Sequence, residues 1–226
     1  MGFKYKIIKI IFSIAFSLNY AQNKIIVEYD FSKNTGGSFD KALEILYIDN
    51  NEKYFFSYEG NNDNVFLENN FFRPGIGITL KYRQDKSILE YKGKMSKKYL
   101  VIDKPENTKW VLSNERKQIL GYECRKATSN FRGTKWIVWY AMKINISEGP
   151  WKLNGLPGLI MEAKSVDGMF EFISRKIHIN PTTNLPILFK NLFIEKEKIA
   201  ISYKDYINIE EKYKIKYDDL CYFIAE

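Results

Sequence analysis

Behind its first two dozen residues the chain breaks into short runs of Ile, Val, Tyr, Phe and Trp parted by Asn, Gly, Asp and Pro, and this alternation restricts the fold most. β-Branched and aromatic side chains suit a pleated, half-buried surface, whereas the intervening residues favour turns. The runs are Lys24–Phe31, Ala42–Tyr47, Lys53–Tyr58, Ile78–Tyr82, Ser87–Tyr91, Tyr99–Ile102, Lys109–Leu112, Ile119–Thr128, Thr134–Ile144, Leu159–Ser165 and Met169–Ile179. Their spacing fits antiparallel neighbours joined by hairpins, with turns at Arg132-Gly133, Asn154-Gly155 and Asp167-Gly168. Trp136 to Met142 is apolar at odd and even positions alike, which predicts a strand covered on both faces. Tyr203, Tyr206, Ile207 and Glu210 recur at helical spacing and predict a helix over Ser202–Tyr213, although Tyr213, Ile215 and Tyr217 also permit a strand beyond it. The expected class is mainly β: a single curved antiparallel sheet forming a half-barrel, or a two-layer β architecture, with one C-terminal helix.

The start of the chain reads differently. Lys4, Lys6 and Lys9 precede an apolar run from Ile10 to Leu18 and a small-residue exit at Ala21, the pattern of a secretory signal peptide over residues 1–21. That run is well short of the roughly 20 apolar residues a membrane span needs, and no later segment supplies one. The mature chain is thus expected to be one β domain over residues 22–226, in the periplasm or outside the cell. Three of the eight net positive charges lie in the signal, leaving +5. Lys and Arg alternate with Asp and Glu without single-sign tracts, so nucleic acid is not an expected partner. Export would put Cys124 and Cys221 in oxidising surroundings, and the sequence leaves open whether they pair or pack as separate apolar thiols.

The segment Gly149 to Glu162 sets large aliphatics into turn chemistry. Pro157 and Gly158 suit the central positions of a type II turn. Burying each of Leu156, Leu159 and Ile160 is worth roughly 1.5–3 kcal/mol, so the turn must fold inward or await a ligand. Trp139 and Trp151 are the tryptophans best placed to border a cleft, because indoles are seldom wholly buried.

Gly155 to Ile160 resembles the signature of the GLPGLI family, secreted proteins of Bacteroidetes, and Trp110, Gly121-Tyr122-Glu-Cys124, Trp139-Tyr140 and Gly149-Pro150 follow that family's order. The resemblance runs from about Lys24 to Ile179 and implies no established activity. More loosely, the same features are similar to LolA and LolB proteins, which implies a half-barrel with a plugged apolar hollow.

Catalytic chemistry is sparse. The single histidine, His178, has no nucleophile motif beside it, no glycine-rich phosphate loop follows a strand, and one His with two distant Cys cannot assemble the usual zinc spacing. Glu162, just past the apolar turn, is the carboxylate to inspect for hydrolysis, against an ordinary ion pair with Lys152 or Lys164. The sequence therefore points to a non-enzymatic envelope binding protein without cofactor or metal. Its ligand would be an acyl chain, a lipoprotein or an apolar peptide, held by Leu156, Pro157, Leu159, Ile160, Trp139 and Trp151 with the turn as lid. The alternative is an interaction module bound to another envelope protein, in which the turn is only core packing.

Overall fold

The computed structural model describes residues 24–34, 36, 39–50, 52–58, 79–94, 97–185 and 187–212. The signal segment, the strand option beyond Tyr213 and Cys221 lie outside the described residues.

Twelve strands form one sheet: β1 (Ile25–Asn34), β2 (Phe39–Asp49), β3 (Glu52–Tyr58), β4 (Thr79–Tyr82), β5 (Ile88–Lys94), β6 (Lys97–Asp103), β7 (Val111–Ile119), β8 (Tyr122–Phe131), β9 (Thr134–Ala141), β10 (Leu159–Ser165), β11 (Phe170–Ile179) and β12 (Ile201–Ser202). The order is β12-β6-β5-β4-β3-β2-β1-β11-β10-β9-β8-β7, antiparallel throughout except where β12 runs parallel to β6. β1 joins the two meanders because its one edge pairs with β2 and its other with β11.

Two-residue periodicity divides the core. Ile25, Val27, Leu46, Phe55, Leu80 and Ile88 face one side, and Ile26, Ile45, Tyr47, Tyr54, Phe56 and Leu89 face the other. The first side is the hollow of the curve. Arg132, in the β8–β9 turn, donates to Asp103 at the end of β6 at 2.5 Å, although those strands stand near opposite ends of the order. Residues 142–158, between β9 and β10, fill this hollow with Ile144, Leu153 and Leu156. Helix α1 (Ile187–Lys196) covers the outer side, setting Phe189 and Phe193 against Tyr54, Phe56 and Tyr91 at ring separations of 5.0–5.9 Å. Helix α2, residues 203–212, returns to the inner side, where Tyr206 meets Tyr99 edge-on at 5.8 Å.

The half-barrel and the C-terminal helix are as expected, and three details differ. β9 is not covered on both faces: Trp136, Val138 and Tyr140 are buried, Ile137 and Trp139 are half-buried, and Met142 lies outside the strand and exposed. The expected strand Lys109–Leu112 is the start of β7, which continues to Ile119 and turns into β8 through Leu120 and Gly121, both at positive φ. Its polar stretch Ser113–Gln118 gives no apolar alternation because β7 is an edge strand exposed over most of its length. α1 was not expected, since its apolar residues and Lys190, Asn191, Glu195 and Lys196 are spread around the helix without a helical period.

Candidate functional site

The apolar turn is packed into the core. Gly158 N–H donates to the Leu156 carbonyl at 2.8 Å, closing a three-residue γ-turn centred on Pro157 instead of the expected four-residue turn. Leu156, Leu159 and Ile160 are each at most 1% exposed, and only Pro157 reaches the surface. A bulge at Met161 lets Leu159, Ile160 and Met161 all turn inward despite being consecutive. Leu159 N–H donates to Ile144, Ile160 N–H to Glu148, and the Ile160 carbonyl accepts from the buried Tyr29 hydroxyl at 2.7 Å. Burial pushes the Tyr29 phenol well above its ordinary pKa, so it remains a donor. Gly158 has φ +152° and lies against β9: a Cβ there would stand 2.4 Å from the Ala141 carbonyl oxygen. At Gly149 a Cβ would stand 2.7 Å from that of Ile160.

This clamp delivers the preceding residues, Trp151 and Lys152, to a fixed place. Trp151 has φ +52°, left-handed backbone that costs a non-glycine residue roughly 1–2 kcal/mol, and its carbonyl accepts from the Tyr82 hydroxyl. Lys152 is buried and bridges two carboxylates, donating to Glu90 at 2.7 Å and Asp103 at 2.6 Å. Asp103 holds Arg132 with its other oxygen, and Lys92 lies 3.3 Å from Glu90. Three cations thus share two carboxylates.

Beside this network opens an aromatic cleft of about 330 Å³. Trp136 and Phe172 form its buried floor, and Phe31, Trp151, Phe170 and Tyr203 its half-buried walls. The rings are packed on one another: Trp136 lies 6.1 Å from Trp151 and 6.2 Å from Phe170, and Phe31 stacks on Phe172 at 4.7 Å. The Trp136 indole N–H is buried and has no hydrogen-bond partner among the described residues. Phe131, Arg132 and Tyr203 are shared with a second, polar cleft of about 840 Å³ that also carries Asn107, Thr108 and Asn130.

Of the residues singled out from sequence, Trp151 alone lines this aromatic cleft. Leu156, Leu159 and Ile160 belong to the core beneath, and Pro157 is at the surface. Trp139 points to the outer side of β9, where Lys117 lies 4.5 Å above its ring and also pairs with Glu162 at 2.6 Å. Glu162 therefore pairs with neither Lys152 nor Lys164. His178 is also on the outer side, 2.8 Å from the buried Glu28. Cys124 is a buried free thiol, raised by that burial to a pKa of about 11. Among the described residues no group of His, Cys, Asp and Glu could hold a metal ion, and no helix is long and apolar enough to cross a membrane. Sequence reasoning missed Phe31, Asp103, Arg132, Phe170 and Tyr203. Their strands are far apart in the chain and meet only through the curl of the sheet.

A family model described as N-glycanase peptide, N-terminal domain, matches residues 82–205, more than half of the chain. The chain belongs to that family. The N-glycanase N-terminal domain match takes in both clefts apart from Phe31. Solved structures agree at the level of fold: PNGF-II in one crystal form aligns with TM-score 0.56 and 14% identity over 82% of this chain and 32% of that one. A second crystal form gives TM-score 0.53 and 15% identity over 74% and 29%. The chain thus spans about a third of the length of those proteins. A DUF1329 family protein from Desulfovibrio piger aligns over 74% of this chain and 89% of that one at 10% identity, with a TM-score of 0.34, too low to argue from. No curated protein matches the sequence.

Proposed function

We propose that the chain is an exported, non-enzymatic binding module of the cell envelope, and that its ligand seat is the aromatic cleft and not the apolar turn. The observation that carries this is the packing of Leu156, Leu159 and Ile160. A lid must leave its resting place at modest cost, whereas opening this turn would expose three buried aliphatic side chains and free the hydrogen bonds that Ile144, Glu148 and Tyr29 make with it. The turn is a structural clamp that presents Trp151.

The seat suits a glycan best. Its lining is aromatic and cationic with no aliphatic side chain, which favours the flat face of a sugar ring over a flexible acyl chain, and it opens into a cleft whose Asn107, Thr108 and Asn130 can serve hydroxyl groups. The family's N-glycanase description supports the same ligand class. Membership of the GLPGLI family is compatible with this reading, since the hexapeptide then marks a shared clamp.

Intrinsic tryptophan fluorescence during titration with neutral and acidic oligosaccharides, and with decanoate, tests the reading. Some saccharide should shift the emission with saturation, and Trp151→Asn, which tolerates left-handed backbone, should weaken binding at least tenfold while keeping the melting temperature within a few degrees. Saturation by decanoate alone would transfer the seat to acyl chains. No saccharide response, or a Trp151→Asn variant that titrates like the parent, would refute the glycan reading.

A further inference from the structure

The charges and the unpaired donor around this seat narrow the ligand further, on the premise that the cleft holds a sugar. Among the described residues, Lys92, Arg132 and Lys152 share the carboxylates of Glu90 and Asp103, three cations on two acids. Lys152 is buried and bonded to both acids, so its charge is spent inside the protein. Arg132 is different. It uses one Nη on Asp103, lies with its guanidinium 4.5 Å from the Tyr203 ring, and belongs to both clefts. Stacking on an aromatic face holds the planar fork in place without consuming its in-plane N–H groups. The polar cleft is lined by Lys104, Lys109 and Arg132 together with Glu106 and Asp103, Asp103 being already engaged by Arg132 and Lys152, and Asp205 accepts from its lining residue Ser202 at 2.6 Å; with Lys92, Lys152 and Glu90 the cations still outnumber these acids. The field at the junction is therefore positive.

The second observation is the Trp136 indole. A buried N–H without a partner costs about 1–3 kcal/mol, and indole can only donate. The Trp136 ring lines the aromatic cleft and its N–H is closed off from the open space, so an oxygen of a seated ligand satisfies it once the neighbouring side chains move aside.

We propose that the module binds an acidic saccharide, one sugar ring lying among Trp136, Trp151 and Phe170 with an oxygen on the Trp136 N–H, and its carboxylate or sulfate on Arg132 at the mouth of the polar cleft. Two N–H groups of a guanidinium fork can meet two oxygens of a carboxylate or of a sulfate, which matches them in geometry as well as charge.

Isothermal titration with chitohexaose, a hyaluronan hexasaccharide and a chondroitin sulfate hexasaccharide compares a neutral ligand, one bearing carboxylates and one bearing carboxylates and sulfates. At least one acidic ligand should bind tenfold or more tighter than chitohexaose. Arg132→Gln should remove that advantage, bringing the acidic ligand to within about twofold of chitohexaose. Trp136→Phe deletes the donor together with the five-membered ring, and should weaken all saccharides that bind by about fivefold while lowering the melting temperature through the volume lost at a buried site. Lys135→Gln, a charge loss on the outer side of β9, should change nothing.

Equal affinity for neutral and acidic ligands would overturn the inference and leave the glycan seat standing. Equal losses in Arg132→Gln and Lys135→Gln would also overturn it, by showing diffuse attraction to a basic protein. Binding by none of the three would remove both the inference and the reading beneath it.

Discussion

Replacing Gly158 by Ala tests whether the apolar turn is a clamp. Two separate costs are expected. The backbone at φ +152° lies in a region that L-residues rarely enter, worth about 1–3 kcal/mol. The added Cβ would also lie 2.4 Å from the Ala141 oxygen and 2.9 Å from the Met142 Cα, both backbone atoms that no rotamer change can move, and forcing an extra methyl into a packed site costs a further 1–3 kcal/mol or so. The sum is about 4 kcal/mol, which for a chain of this size lowers the melting temperature by about 8–16 °C. Gly121→Ala is the internal reference, because Gly121 has φ +79° and a Cβ there would meet nothing within 4 Å. It should cost about 1 kcal/mol, or about 2–4 °C. Differential scanning calorimetry on both variants separates backbone strain from overlap. If Gly158→Ala melts no lower than Gly121→Ala, the turn accommodates new volume without resistance. The clamp would then be refuted and the lid reading would regain its footing.

Two further outcomes follow from buried charge. Lys152→Met should destabilise by about 2–4 kcal/mol in chemical denaturation, because Glu90 and Asp103 each lose a buried charged hydrogen bond and keep Lys92 and Arg132 as partners, and adding Glu90→Gln and Asp103→Asn should recover part of the loss; a Lys152→Met variant as stable as the parent would show that the network is solvated. Glu44, on the inner side of β2, is buried with one oxygen on Ser57 and the other unpaired among the described residues, and burial raises its pKa from 4.5 to about 8. The folded state therefore keeps a proton that the unfolded chain releases near pH 4.5, so between about pH 4.5 and 8 this group subtracts stability as pH rises, by about 1.4 kcal/mol per unit, and the loss levels off above pH 8. Glu44→Gln should flatten that slope in denaturant midpoints taken from pH 5 to 9, and an unchanged slope would place the titration elsewhere.

The fold was legible because one alternation governs it. In β1, β2 and β3, Val27, Leu46 and Phe55 alternate with Ile26, Tyr47 and Tyr54, and both sets are apolar because the hollow is filled by residues 142–158 and the outside is covered by α1. Where a strand borders water, the pattern fades. Ser113 to Gln118 carries no apolar code because edge strand β7 buries almost nothing there. The site was less legible for a different reason. Phe31 on β1, Asp103 on β6, Arg132 after β8 and Phe170 on β11 approach only because the sheet curls, and no local spacing records that curl. Trp151 was visible as an indole beside turn residues, whereas Trp139 has the same local appearance and faces the other way. Strand register decides between them: Trp139 stands opposite Lys126 and Glu162, while Trp136 and Val138 share the inner side with Ala127 and Ala163.

The turn and the cleft are parts of one arrangement. The segment from Met142 to Gly158 must cross the hollow and present Trp151 in a left-handed conformation that its own sequence does not favour. Such strain persists only where neighbouring contacts over-determine it. Here the Tyr82 hydroxyl holds the Trp151 carbonyl, Leu153 N–H closes back on Pro150, Trp110 donates to Asn154 at 2.8 Å, and the γ-turn anchors the far end with three buried aliphatic side chains. At roughly 1.5–3 kcal/mol each, those side chains outweigh the 1–2 kcal/mol of strain at Trp151 several times over. Apolar residues in a turn are thus the physical means of fixing the wall of a polar and aromatic cleft one turn upstream, which is why the most conspicuous residues of the sequence lie beneath the cleft and not in it.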